Sequence, residues 1–499
     1  MFQGCPGDGG WHHAASTDLL NWVNYGIDAG LSALQEPYGK SPPCSGFAVE
    51  DDDGVPCVGL RQCTGNWPGR RPQVVPLELR CANNTNLTSW GLPEYVYWFY
   101  FARSLPYDPP RPWREANGQW YSLISADACN STVPCAGGGA AYLHTSPRLR
   151  GSGANWTLLG PMWASNYTVL TPFTGAALVK ELVTTGYFGN LSGDPHAGTT
   201  RVLTNNVCGE GCCSCSTGWY LGRQAGGPGS RFEVDFSAPN ATGMIDWGSF
   251  EVNASAAGGG GGVGLAGLAS KGYGQGQFFS MARTLSEHPD QVTGGGRKSI
   301  LGWIGGQTPA MQSLPRTLTL AEDGSGLLQD FASELLALRK PGGPAVVAGQ
   351  AGVRAGVRSQ QVEISATFTV EAGAQGVAPF GVRMLVSDNG AFSADAGVNF
   401  TQQHVFLLGS AGPLYPMPSA AGAHTAGGGG VTISMHAIVD HSILTVIFNN
   451  KTAFTLFYSP RGESYELFGV GQGTQVQGVL AVWDLYSANN TGQSTTSMP

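Results

Sequence analysis

Four cysteines crowd into one short stretch: Cys208, Cys212, Cys213 and Cys215. Thiols this close could hold a metal ion or pair as disulfides. Cys212 and Cys215 make one Cys-x-x-Cys, but no second such pair and no nearby histidine completes a four-ligand site. Disulfides are the expectation, and no metal is expected. All eleven cysteines (Cys5, Cys44, Cys57, Cys63, Cys81, Cys129, Cys135 and the four above) precede residue 216. That division predicts a disulfide-bearing first part and a thiol-free second part. The odd count leaves one thiol over.

A second motif is Gly262-x-Gly264-x-x-Gly267, formally a dinucleotide fingerprint. It has meaning only between the strand and helix of a βαβ unit. Here it sits in a glycine-rich run, 256–275, that reads as a surface loop. No nucleotide or other cofactor is expected.

Asparagine chemistry is better represented. Asn-x-Ser/Thr occurs at Asn83, Asn86, Asn130, Asn155, Asn166, Asn190, Asn240, Asn253, Asn399, Asn450 and Asn489, where chance in this composition gives roughly three. The excess predicts N-linked glycans and a secreted, extracellular or vacuolar protein. The opening Met1-Phe2-Gln3-Gly4-Cys5 has neither the charged nor the apolar region of a signal peptide. The secretory expectation therefore rests on sequons and cysteines alone. A net charge of −8 leaves no electrostatic footprint for nucleic acid. No apolar run approaches the ~18 residues of a membrane span.

These groups need a scaffold, and the composition predicts an all-β one. Charged residues are 12 % of the chain and glycines number 75, which suits many short strands joined by tight turns. β-branched and aromatic runs at 94–101, 119–124, 299–304, 362–370, 431–436 and 442–448 read as strands. Asp53-Gly54, Asn117-Gly118, Asp323-Gly324 and Asn389-Gly390 read as hairpin turns. One helix is expected at 327–339, from the spacing of Leu328, Phe331, Leu335 and Leu338. Lys340-Pro341-Gly342-Gly343-Pro344 then marks a boundary, dividing the chain into 1–338 and 345–490. Twelve of the thirteen tryptophans fall in the first part, as in a propeller or barrel whose sheets carry aromatic plugs. The second part reads as a sandwich.

Along the chain stand Trp11-His12-His13-Ala14, Cys44-Ser45-Gly46-Phe47, Tyr107-Asp108-Pro109, Trp120-Tyr121, Leu301-Gly302-Trp303-Ile304-Gly305, Gln312-Ser313-Leu314-Pro315-Arg316, Val439-Asp440-His441-Ser442 and Val482-Trp483-Asp484. In this order they resemble glycoside hydrolase family 32, the invertases, fructan hydrolases and related fructosyltransferases. The resemblance runs from Phe2 to about Ala488. It implies a five-bladed β-propeller, its first blade incomplete here, followed by a C-terminal β-sandwich. It also implies a retaining glycosidase acting on β-fructofuranosides, with sucrose or a fructan as partner. Such an enzyme sets two carboxyl groups about 5–5.5 Å apart across the scissile bond.

The resemblance assigns roles residue by residue. Asp108 matches the transition-state stabiliser, although Tyr107 replaces the arginine that precedes it in the family. Read alone, Asp108 could simply start a turn before Pro109-Pro110. Glu181 is the candidate acid/base, without the family's Cys-Pro-Asp after it; read alone it is a solvated charge on a strand edge. Gln3, Trp11, Ser45, Phe47 and Tyr107 are candidate sugar contacts, while Trp11 and Phe47 also read as core packing. His13, Trp303 and Asp440-His441 read as structural. The family's nucleophile lies in an Asn-Asp-Pro stretch, and no Asn-Asp-Pro occurs in the chain. One account is a chain whose start is missing, inactive as it stands. Others are a non-catalytic carbohydrate-binding propeller, or a fructosyltransferase built on the same residues.

Overall fold

The structure is a computed structural model that describes residues 2–3, 11–26, 43–62, 74–100, 110–127, 139–164, 181–194, 199–208, 215–235, 241–248, 278–286, 295–305, 311–324, 326–408, 410–415, 430–458, 460 and 462–487. The described elements are strands, apart from one 3-10 helix. Five antiparallel sheets follow one another in chain order. The first holds β1 (Phe2–Gln3), β2 (Trp11–Ala15) and β3 (Val23–Gly26). The second holds β4 (Pro43–Glu50), β5 (Pro56–Gln62), β6 (Val74–Cys81) and β7 (Glu94–Tyr100). The third holds β8 (Trp113–Arg114), β9 (Trp120–Asp127), β10 (Gly139–Ser146) and β11 (Thr157–Ala164). In the fourth, β12 (Glu181–Gly189), β13 (Arg201–Cys208) and β14 (Cys215–Gln224) run in order, and β15 (Phe232–Val234) and β16 (Thr242–Met244) share the far edge of β14. The fifth holds β17 (Phe278–Ser286), β18 (Lys298–Gly305), β19 (Met311–Gln312), β20 (Arg316–Leu320) and β21 (Leu327–Phe331). This is the propeller part of the fold.

Two packed sheets follow, the sandwich. One runs β22 (Ala345–Ala348), β32 (Val476–Asp484), β23 (Gln361–Val370), β28 (Val431–Asp440), β29 (Ile443–Phe448), β30 (Thr452–Phe457). The other runs β27 (Ser410–Pro413), β26 (His404–Leu407), β25 (Ala394–Asn399), β24 (Phe380–Val386), β31 (Ser464–Phe468). Period-two patterning explains the pairing. In β23, Ile364, Ala366, Phe368 and Val370 are buried while Ser365, Thr367 and Thr369 face outward. The Phe368 ring meets Phe380 of the opposing sheet at 5.3 Å. Met244, the last residue of β16, and Trp247, just beyond it, join this same core.

The four expected turn dipeptides all form hairpins. Gly54, Gly118, Gly324 and Gly390 each take positive φ, between 68° and 78°. Each donates its N–H to the carbonyl three residues earlier. The expected helix at 327–339 does not form as one element. Residues Leu327–Phe331 are strand β21, with Leu327, Gln329 and Phe331 buried on one face. Only Ser333–Leu338 coils, as a 3-10 helix. Pairing with β20 across the Asp323-Gly324 turn outcompetes the helical spacing. Buried Gln329 is satisfied there, donating to Ile245 O and Lys451 O.

Candidate active site

Antiparallel alternation decides which strand ends share a rim. Gln3 ends β1 and pairs with Trp11, which begins β2. Ser45 is near the start of β4, where Pro43 pairs with Gln62 at the end of β5. Glu181 begins β12 and pairs with Cys208, the last residue of β13; Cys208 pairs in turn with Cys215, the first of β14. Ser45 and Glu181 thus stand at or near the starts of their strands, and Gln3 at the end of its own. Tyr107 and Asp108 lie outside the described residues. The glycine-rich run 256–275 also lies outside the described residues.

Phe47 sits differently. Its side chain is 6 % exposed and packs with Val49, Leu77, Leu79 and Trp120 between the second and third sheets. Its ring covers Gly59, its cross-strand partner, so closely that a Cβ on Gly59 would meet it. The ring has taken the core role.

The opposite end of the sheets is a rigid base. Asp52 accepts hydrogen bonds from Trp120 Nε1 at 2.8 Å and Leu149 N at 2.9 Å, tying the second sheet's first hairpin to the third sheet. Beside it, Asp51 accepts from Arg150 Nε at 2.8 Å and from Val55 N at 2.8 Å. Burial opposes the Asp51 charge, but these donors hold its carboxyl below the usual carboxylate range. Between the third and fourth sheets the contacts are aromatic. Trp113 meets Tyr187 at 4.6 Å, and Trp163 meets Tyr220 at 5.0 Å. Burial pushes both tyrosine hydroxyls well above their ordinary range.

Two buried carboxylates in this region carry no sequence signal that singles them out. Glu115 is buried and accepts from Trp113 Nε1 at 3.1 Å. Glu78 accepts from Arg80 Nε at 2.7 Å, both nearly inaccessible. Glu78 alternates with Leu77 and Leu79 as on any half-exposed strand, and Glu115 follows Arg114 just past β8, so burial alone distinguishes them.

Cys57 and Cys81 form a disulfide between directly opposed residues of β5 and β6. Asp51 lies beside these sulfurs, but sulfur in a disulfide offers no thiolate to a metal ion. Cys212 and Cys213 lie outside the described residues. No helix of the described residues is long and apolar enough to cross a membrane.

No protein-family model and no curated protein sequence matches the chain. Solved structures do. Fructan 1-exohydrolase IIa from Cichorium intybus superposes with a TM-score of 0.65 at 14 % identity, over 95 % of this chain and 89 % of that one. The β-fructofuranosidase of Aspergillus kawachii, solved with glycerol, gives 0.66 at 15 % identity over 96 % and 91 %. A fructosyltransferase from A. japonicus gives 0.68 at 14 % identity over 97 % and 92 %. The chain thus has the propeller-and-sandwich fold of glycoside hydrolase family 32.

Proposed function

We propose that the chain handles β-fructofuranosides, sucrose or a fructan, at the mouth of its propeller. Residues 1–338 form the sugar-handling part and 345–490 the supporting sandwich. One observation carries the reading: nearly the whole chain superposes on proteins whose names specify fructan or fructofuranoside chemistry. In this reading Asp108 stabilises positive charge developing on the fructosyl ring, and Glu181 donates a proton to the leaving oxygen and later withdraws one from water. Gln3, Trp11, Ser45 and Tyr107 contact the sugar. The protein travels the secretory route.

A second reading has specific support: a carbohydrate-binding propeller without turnover. The chain contains no Asn-Asp-Pro, Tyr107 stands where an arginine is expected, and Glu181 lacks its Cys-Pro-Asp. Incubation with sucrose, 1-kestose and inulin separates the two. Fructose release supports the hydrolase, and a longer fructan product supports a transferase. Calorimetric binding without product supports the binder. Neither binding nor product defeats both readings.

A further inference from the structure

Strand β11 forms one edge of the third sheet, and its only strand partner among the described residues is β10. Its backbone is already guarded against strand addition. Pro161 removes one donor, Gly160 takes a φ of 126°, and the pairing with β10 shifts register twice. Its side chains are not guarded: Leu158 is 57 % exposed and Leu159 50 %. Adjacent exposed leucines on a sheet edge call for a cover that masks side chains rather than pairs with backbone.

The sequon Asn155-Trp156-Thr157 directly precedes these leucines. Trp156 anchors it, donating from Nε1 to Leu149 O at 3.2 Å and packing on the core between the second and third sheets. The Asn155 backbone N–H donates to Ser146 Oγ at 2.9 Å, which fixes the residue at the surface. Asn155 and Thr157 are both exposed, and the Asn155 side-chain amide has no partner among the described residues. Two other sequons, at Asn450 and Asn399, differ. The Asn450 amide donates to Asp330 Oδ2 at 3.1 Å, and the Thr452 hydroxyl is buried against Pro413 O. The Asn399 amide donates to Gln402 Oε1.

We propose that Asn155 carries an N-linked glycan that lies over Leu158 and Leu159 as the cover of this edge. Asn155 Nδ2 attacks the anomeric carbon of a polyprenyl-diphosphate-linked oligosaccharide. The N–C bond forms, the bond from that carbon to the diphosphate oxygen breaks, an amide proton passes to a base of the transferase, and the polyprenyl diphosphate leaves. The sugar rings present an apolar face to the leucines and hydroxyls to water. The inference rests on the secretory route of the proposed function, not on its chemistry.

The test is site-resolved glycopeptide mass spectrometry of the full chain secreted from a eukaryotic host, followed by light scattering. Expected are a glycan on Asn155 and several-fold faster aggregation for Asn155→Gln and Thr157→Ala alike. Trimming the glycan enzymatically from the folded protein should do the same, and adding Leu158→Thr with Leu159→Thr should reverse it. A bare Asn155 beside other occupied sequons overturns the inference and leaves the secretory route standing. No occupied sequon at all overturns both. Aggregation that follows Asn155→Gln but neither Thr157→Ala nor trimming also overturns it.

Discussion

Arg316 Nη2 and Asp246 Oδ2 meet at 2.7 Å, and neither side chain has any exposed surface. Arg316 belongs to β20 of the fifth sheet, Asp246 follows β16 of the fourth, and Thr455 of β30 in the sandwich bonds to both. Arg316 Nη1 also donates to Gln329 Oε1 at 3.0 Å, and Asp246 Oδ1 accepts from Thr455 N at 2.9 Å. One ion pair thus joins two propeller sheets to the sandwich. Removing either partner strands the other charge, at about 3–5 kcal/mol. Arg316→Met should lower unfolding stability by an amount in that range in urea denaturation. Arg316→Met with Asp246→Leu should cost less than the sum of the two single changes, because no lone charge remains. Strict additivity would mean that the pair is not coupled.

The same junction carries a titratable clamp. His436 of β28 bonds through Nδ1 to Asp330 Oδ1 at 2.8 Å and through Nε2 to Glu363 Oε1 at 2.9 Å. Burial opposes the imidazolium, but the two carboxylates outweigh it and raise its pKa to about 9. Burial likewise opposes the Glu363 charge, yet Arg339 and His436 bring that carboxyl down to about 2. A raised histidine stabilises fully below its unfolded pKa near 6.5 and loses the effect as pH rises to about 9. A lowered carboxylate stabilises fully above about 4.5 and loses the effect as pH falls toward 2. The clamp is therefore fullest between about pH 4.5 and 6.5, with the histidine contributing roughly 3 kcal/mol there. Melting curves should show Tm declining from pH 6.5 to 9. His436→Gln should lower Tm at pH 6 and flatten that alkaline decline. An unchanged alkaline slope in the variant would place the titration elsewhere.

The Cys57–Cys81 disulfide closes a sequence separation of 24 residues. A loop of that size restricts the unfolded chain enough to be worth about 3 kcal/mol. Cys57→Ala with Cys81→Ala should therefore lower unfolding stability by roughly 3 kcal/mol while leaving the β5–β6 register intact. Intact-mass measurement with and without reductant confirms the bond first, and denaturation of the two proteins then gives the difference.

The strands were legible in the sequence because a half-buried sheet imposes period two, as in β23, and the turns because Asp-Gly and Asn-Gly accept positive φ. The helix at 327–339 misled because Leu328, Phe331, Leu335 and Leu338 have helical spacing by coincidence of a strand followed by a short 3-10 turn. Besides the hairpin with β20, Gln329 and Asp330 bond to Lys451 and His436 of the sandwich, contacts that no local window contains. The candidate sugar site was readable only as an ordered series of motifs; Gln3 stands at the end of β1, Trp11 at the start of β2, Ser45 near the start of β4 and Glu181 at the start of β12. Phe47 shows the limit: its aromatic type suits a sugar subsite and a sheet core equally, and the glycine opposite it on β5 settles the core. Glu78 and Arg80 were invisible because polar residues alternating along a strand normally face water.

The mouth itself is tested by separating binding from turnover. A retaining hydrolase needs a nucleophile as well as the acid/base. The family's Asn-Asp-Pro is absent from this sequence, and on the reading of a binder without turnover the 499-residue chain should bind 1-kestose without releasing fructose. On the proposed reading, Trp11→Ala would remove an aromatic sugar contact, and Asp108→Asn a carboxylate that would accept sugar hydroxyls. Asp108→Asn should weaken calorimetric binding by about 1.5–3 kcal/mol, the scale of a hydrogen bond to a charged group, and Trp11→Ala should weaken it as well. Phe331→Leu, in the buried core beneath the sandwich, should leave binding unchanged. If fructose is released after all, a carboxylate of this chain acts as nucleophile. Glu181→Gln should then lower kcat by about 10²–10⁴, with activity on substrates bearing a good leaving group least affected, because only the protonation of the leaving oxygen is lost. Turnover that survives Glu181→Gln undiminished would remove Glu181 from the chemistry, and the acid would have to be sought among the other carboxylates of the mouth.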